Sequence, residues 1–295
     1  MHAPHWYDQL TLFFGHFRPW CTLDASTLEP ALGNSAVQRL HQRQLANLEK
    51  EASHFDEAPT LIGEVGVPFD LDNKALYALP FKGKEDTDVD VPLIDGDRAL
   101  AHSVDCLDAR NLSYTLWLYE PTHSMKWHDG WNMEDLSLFS RTPAARYVAL
   151  DRDPLNVHFG ARGLRAFSRP FCRRLSGVFE RAPTFHSATG TFRLEFRADH
   201  ALHAPTEIFV PEAVQYPDGF VVELSDGEFT LERAPDAVGG YAPIHYTPGP
   251  GDYLRIVVIR RAGADPAAGG GCCVQSGDEA LLPSKPSTET LLALP

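Results

Sequence analysis

Pro59-Thr-Leu-Ile-Gly-Glu-Val-Gly-Val-Pro-Phe-Asp70 is the stretch on which the fold turns. Thr60-Leu-Ile reads as a short buried strand. The Gly-Glu-Val-Gly step that follows brings Glu64 to the C-terminal edge of that strand, with small residues on both sides. In a (β/α)8 barrel this edge is where catalytic groups sit. A carboxylate there, crowded by aromatics from neighbouring strands, has the chemistry that a glycosidase requires of its nucleophile. Taken alone, a strand-end Glu is more often the structural partner of a nearby arginine. The rest of the chain has to decide between the two readings.

Working outward, residues 1 to 8 read as the end of a strand, and Leu10 to Phe17 as an apolar loop suited to line a pocket. Ser35 to Ser53 is the first clear helix, with Val37, Leu40, Leu45 and Leu48 near helical spacing. A long polar loop through Lys82 to Asp90 separates the Glu64 strand from a second helix over Asp95 to Ala109. Ser113-Tyr-Thr-Leu-Trp-Leu-Tyr119 is a β-rich run. Strand, helix, strand, helix, strand is the rhythm of parallel βα units. These are about three strands, where a closed barrel needs eight.

Beyond about Arg165 the texture changes. Thr191 to Arg197 alternates apolar and polar residues, and further β-rich runs follow between Pro, Asp and Gly turns at short spacing. That is the pattern of an antiparallel sandwich. Ser225-Asp-Gly227 reads as a tight hairpin turn. The expected organisation is α/β plus all-β: parallel βα units over residues 1–160, which the family resemblance given below implies are the C-terminal portion of a TIM barrel, a β-sandwich over 161–262, and a disordered, Gly/Ala/Pro-rich tail over 263–295.

Composition excludes several classes. With 43% hydrophobic and 11% aromatic residues among 295, the chain can bury a substantial core. A formal charge of −14 argues against nucleic acid or an anionic membrane surface as primary partner. Five cysteines without framework spacing suggest reduced thiols. Cys272-Cys273 match no metal-ligand pattern, and neither a metal nor another cofactor is expected; acylation of the pair has only a weak signal. No apolar run approaches the roughly 18 residues of a membrane span. The N-terminus lacks the pattern of a secretory leader, so a cytoplasmic or vacuolar location is expected ahead of secretion.

Alternate residues of a strand face the same way, so His5 and Tyr7 project together from the first strand and Trp117 and Tyr119 from the third. His5 and Tyr7 are placed to hydrogen-bond a carboxylate. Trp117 is suited to stack on the apolar face of a pyranose. Pro4-His-Trp-Tyr-Asp8, Ile62 to Asp70, Thr115 to Tyr119, and Trp127-His-Asp-Gly-Trp-Asn-Met-Glu-Asp-Leu-Ser-Leu-Phe-Ser140 together resemble glycoside hydrolase family 5. The similarity is to its branch of endoglycoceramidase-like enzymes and fungal steryl β-glucosidases. Gly160-Ala-Arg-Gly163, Arg169-Pro170, Pro205 to Pro211 and Val222 to Gly227 extend the resemblance into the sandwich, so that it covers about residues 1 to 260.

The resemblance implies that Glu64 is the nucleophile at the end of the seventh barrel strand, supported by His5 and Tyr7 from the sixth. It implies that Trp117, from the eighth, floors the sugar subsite, and that the Trp127 to Asp135 loop borders the entrance. Asp129, Trp131 and Asn132 are that loop's candidate substrate contacts, although Asp-Gly-Trp-Asn also fits a turn anchored by a buried Trp. Two departures matter. Leu118 stands where the family commonly has Asn, next to an unusual Glu120-Pro-Thr-His123 run in which Glu120 reads as a structural ion-pair partner. The family's acid/base is the Glu of an Asn-Glu pair on the fourth strand, and no Asn-Glu occurs in this sequence. Glu134 and Glu120 are the nearest substitutes. The expectation is therefore the C-terminal part of a retaining β-glycosidase for glucosides of bulky lipids, a steryl glucoside or glucosylceramide. Its partners would be that glycolipid substrate, a membrane surface met peripherally, and a preceding barrel half. The alternatives are a non-catalytic carbohydrate- or glycolipid-binding module and an inactive fragment.

Overall fold

A computed structural model describes residues 1–71, 95–124, 126–141, 160–232, 242–251, 253–263 and 272–274. The Lys82 to Asp90 loop of the sequence reading lies outside them. The chain divides into two compact units, Met1–Phe167 and Ser168–Pro295.

In the first unit, the segment from His2 to Trp6 runs parallel to β3 (Leu61–Val65), with bridges His2↔Thr60 and His5↔Glu64. Strand β3 is in turn parallel to β4 (Ser113–Leu116). Three extended segments thus lie side by side in one direction, and no closed barrel forms among the described residues. Alternation along the first segment sends Trp6 into a core with Leu45, Ile62, Val65, Cys106 and Leu107. Helix α2 (Asn34–Glu51) and helix α3 (Asp95–Asp108) cover that core. Their buried faces carry Val37, Leu40 and Leu45 on α2 and Leu100, Val104 and Leu107 on α3, the helical spacing already visible in the sequence. A short 3₁₀ turn, Ala52–Phe55, continues α2.

Leu10 to Phe17 is not a loop. Residues Gln9–Phe14 form a helix, α1, which Asp8 caps by accepting bonds from the Thr11 backbone N–H (3.3 Å) and hydroxyl (2.7 Å). Gly15 ends it in the left-handed conformation, φ 65°, which glycine adopts at no steric cost. A small antiparallel pair, β1 (Cys21–Leu23) and β2 (Pro30–Leu32), precedes α2, and a short helix α4 (Leu164–Phe167) closes the unit.

The second unit is two antiparallel sheets around one core. The first contains β6 (Gly177–Phe179), β7 (Thr184–His186), β8 (Thr191–Ala198), β10 (Phe220–Leu224), β13 (Leu254–Arg261) and β14 (Cys272–Val274). The second contains β5 (Phe171–Arg174), β9 (Thr206–Phe209), β11 (Glu228–Leu231) and β12 (Ile244–Thr247). Phe192, Leu194, Phe196, Val222, Val257 and Ile259 from the first sheet meet Ile208, Phe229, Ile244 and Tyr246 from the second, as inward-facing residues of a sandwich do. The tail expected to be unstructured after Ala262 contributes β14, which pairs with Phe220–Val222.

Ser225-Asp-Gly227 departs from the hairpin expectation. Strands β10 and β11 belong to different sheets, so the turn is a corner between sheets. Asp226 fixes it by accepting from the Tyr246 hydroxyl (2.9 Å) and from the buried Arg255 guanidinium. Arg255 also donates to the carbonyl oxygens of Gly249 (2.8 Å) and Gly251. A buried cation left without its carboxylate is costly. Asp226→Ala is therefore expected to lower stability by about 3 kcal/mol in urea denaturation. Tyr246→Phe, which removes the hydroxyl that donates to Asp226, should cost about 1 kcal/mol. Equal effects from the two would contradict this account.

Candidate active site

The site begins with an irregularity in β3. In a regular strand Ile62 and Glu64 would share a face. The β3–β4 register shifts between Ile62 and Val65, so these two residues, three apart, are both buried and the intervening Glu64 is released from the core. Its side chain is 26% exposed. Re-aiming a side chain next to a functional site is a recurrent use of such shifts. Gly63 permits the close approach of the first segment: a Cβ there would lie 3.2 Å from the Ala3 carbonyl oxygen and 3.3 Å from the His5 ring.

His5 and Tyr7 converge on one oxygen of this carboxylate. The Tyr7 hydroxyl donates to Glu64 Oε2 at 2.9 Å, and His5 Nδ1 lies 3.1 Å from the same atom. Oε1 is engaged by neither. Burial, then the hydrogen bond and the negative charge of Glu64, push the Tyr7 hydroxyl well above its ordinary value, with a smaller push from Glu134. The phenol therefore stays protonated and remains a donor across the working range of pH.

Trp117 comes directly after β4, its backbone N–H donating to the Val65 carbonyl at 2.8 Å, and the Trp117–Leu118 peptide bond is cis. Gly66 makes room for it, since a Cβ there would collide with the Trp117 carbonyl oxygen. Tyr119 does not continue the strand: β4 ends at Leu116, and the Tyr119 ring is exposed and tilted against Phe139, 5.6 Å between centroids.

The Trp127 to Asp135 loop divides into an anchored base and an exposed tip. Asp129 points inward, its side chain 1% exposed, and accepts from the backbone N–H groups of Leu136 (2.6 Å) and Ser137 (3.1 Å). Desolvation holds its carboxyl above the usual range. In this position it holds the loop from inside. Beneath it, Asp135 binds the buried Arg162 (2.7 Å) and His123 Nε2 (2.8 Å). Sequence reasoning assigned no role to these three, although Gly160-Ala-Arg-Gly163 marks Arg162. Asp135 also falls among the carboxylates and histidines close enough to share a metal, with His123 and Asp129 or with Asp70 and His128, but Arg162 already supplies a cation there. At the tip, Trp127, Trp131 and Met133 are exposed, and Asn132 is held at φ 46°. Glu134 lies close enough for its charge to act on Tyr7. Glu120 makes a turn rather than the expected ion pair, its carboxylate accepting from the Thr122 backbone N–H (2.7 Å) and hydroxyl.

Residues 169–249 match the glycoside hydrolase family 5 C-terminal domain. Most of the chain is similar to fungal enzymes. It is 27% identical over 228 residues to the glucosylceramidase of Rhizopus delemar, covering 71% of this chain and 31% of the relative. It is 26% identical over 288 residues to the ergosteryl-beta-glucosidase of Saccharomyces cerevisiae, covering 77% of this chain and 36% of the relative. The crystal structure of Cryptococcus neoformans sterylglucosidase 1 superposes on 88% of this chain and 38% of its own, with a TM-score of 0.68 at 26% identity. The chain thus spans about a third of the length of the curated relatives it matches.

The Tyr7 proton has a measurable consequence. The folded state keeps a proton that the unfolded chain releases near the ordinary value of 10.0. The associated stability is fully present below that pH and is lost as pH rises above it. Tyr7→Phe should accordingly flatten the alkaline decline in urea midpoint, measured on either side of about pH 10. An unchanged alkaline limb would place the tyrosine outside the folded network.

Proposed function

We propose that this chain is the C-terminal part of a retaining β-glycosidase of the family 5 type, carrying its nucleophile, Glu64. The observation that supports this best is the Glu64 carboxylate at the end of a parallel strand, with Tyr7 and His5 both on Oε2. The Tyr7 donor and the His5 ring on one oxygen fix the rotation of the carboxylate and leave Oε1 as the oxygen that attacks the anomeric carbon. The aglycone oxygen then leaves with a proton from an acid, and water activated by the same group releases the sugar from Glu64. Retaining enzymes hold the two carboxyl groups about 5–5.5 Å apart. The family's acid belongs to an Asn-Glu pair that this sequence does not contain, so it would be supplied by a preceding barrel half, the parallel segments here being the sixth to eighth strands.

Trp117 then offers the sugar a stacking surface. The substrate class we assign is the glucoside of a bulky lipid, a sterol or a ceramide. The names of the relatives support this reading. So do the exposed apolar side chains of Phe13 and Phe14 on α1 and of Trp127, Trp131 and Met133 on the loop, which are suited to an apolar aglycone at a membrane surface. Among the described residues no helix is long and apolar enough to cross a membrane.

Joining this chain to a barrel half that carries an Asn-Glu pair should give hydrolysis of steryl or ceramide glucosides. Glu64→Gln should then lower turnover by four or more orders of magnitude, as removal of a covalent nucleophile does. Formate should restore activity to Glu64→Gly. Turnover unchanged in Glu64→Gln would overturn the nucleophile assignment, and binding of these lipids without turnover would favour a non-catalytic glycolipid-binding module.

A further inference from the structure

On the face of the first segment opposite His5 and Tyr7, a second group of chemically capable side chains converges, and the hydrolysis uses none of them. His41 comes from α2. His102 and Cys106 come from α3, one turn apart and therefore on one face. His41 Nδ1 lies 2.9 Å from His102 Nε2, and Cys106 Sγ lies 3.9 Å from that same nitrogen. One donor atom from each of the three residues lies within 4.8 Å of the others. His41 and Cys106 are buried. The Trp6 ring packs edge-on against His41 and the Phe17 ring is tilted against His102.

We propose that His41, His102 and Cys106 form a binding site for a transition-metal ion of the zinc class, joining α2 to α3. The donor set selects the ion. Imidazole nitrogen and thiolate sulfur suit borderline-soft cations such as zinc, whereas magnesium and calcium require oxygen. Metal–ligand bonds of about 2.0–2.3 Å at tetrahedral angles put such donors roughly 3.3–3.6 Å apart. Two of the three separations fall on either side of that range, 2.9 and 3.9 Å, and the third lies within 4.8 Å, so side-chain rotations can bring the three donors onto one ion. The orientation of His41 also fits. Its other nitrogen, Nε2, faces the Asp8 carboxylate at 3.9 Å, and a carboxylate behind a metal-bound imidazole is the usual way to fix its tautomer. Three protein donors leave the fourth position of a tetrahedral ion to solvent.

One of the two facing nitrogens of His41 and His102 carries the proton of their 2.9 Å contact, and that proton moves to the other nitrogen of its ring when an ion takes the lone pair. Cysteine is ordinarily a thiol at neutral pH and binds such ions as the thiolate, so the ion has to displace the Cys106 proton. The S–H bond breaks, a sulfur–metal bond forms, one proton leaves to solvent, and no electron is transferred.

Cobalt(II) titrated into the chelator-stripped full chain tests the site. The expected result is one equivalent bound, with a thiolate-to-cobalt charge-transfer band, about one proton released per ion into weak buffer, and displacement by zinc. Cys106→Ser should remove the band and weaken binding at least tenfold. Asp8→Asn should weaken it roughly 10- to 100-fold with the band retained. Far-UV circular dichroism establishes that each variant is folded. Absence of the band in the folded wild-type chain, or a band that persists in folded Cys106→Ser, would overturn the proposal and leave the three residues as a hydrogen-bonded imidazole–thiol cluster.

Discussion

The Tyr7 hydroxyl and the His5 ring, meeting on one carboxylate oxygen, organise the first unit. Tyr7 and His5 can reach Glu64 Oε2 only because the first segment runs parallel to β3 in the register that sets His5 beside Glu64. That register is held from the other face, where Trp6 is locked into the core with Ile62 and Val65. The Trp6 indole N–H is satisfied by Gln44 at 3.1 Å. A slip of one residue would turn Trp6 toward the site and His5 and Tyr7 into the core, exchanging apolar burial for unpaired polar groups. The chemistry of the site and the packing behind it are two consequences of one alternating segment.

The small residues around Glu64 serve the same geometry. Gly63 admits the first segment, Gly66 admits the Trp117 carbonyl, and the register shift between Ile62 and Val65 frees the carboxylate from the core. A side chain at either glycine would separate groups that must lie close. The loop beyond Trp127 is built on the opposite principle. Its base is fixed by Asp129, Asp135 and Arg162, all buried, while its aromatic tip stays exposed. Rigid support beneath an apolar tip suits the lipid contact proposed above, because the contact area is presented with little loss of freedom on binding.

Much of this was legible in the sequence where one period dominates. The helical spacing of Val37, Leu40 and Leu45 and the alternation of Thr191 to Arg197 led directly to α2 and β8. The pairing of His5 with Tyr7 also followed from strand alternation. What escaped was set by single residues or by distant contacts. Helix α1 has its cap in Asp8 and its stop in Gly15, but its six residues are too short for a periodic signal. Ser225-Asp-Gly227 has hairpin composition, yet Arg255 and Tyr246, far along the chain, make it a corner between sheets. Asp129 faces inward because two backbone N–H groups of its own loop require an acceptor, which spacing does not disclose. The group formed by His41, His102 and Cys106 is invisible for a related reason: only the packing of α2 on α3 brings a residue at 41 to residues at 102 and 106.

The central claim is that Glu64 is the group that bonds to sugar. In a protein joining this chain to a barrel half with the Asn-Glu acid, a 2-deoxy-2-fluoro-glucoside with a good leaving group should trap the glycosyl-enzyme. Peptide mass spectrometry should then find the fluoroglucosyl group on the peptide containing Glu64, and on no peptide when Glu64 is replaced by Gln. Adduct formation on another carboxylate, Glu134 or Glu120 included, would contradict the account.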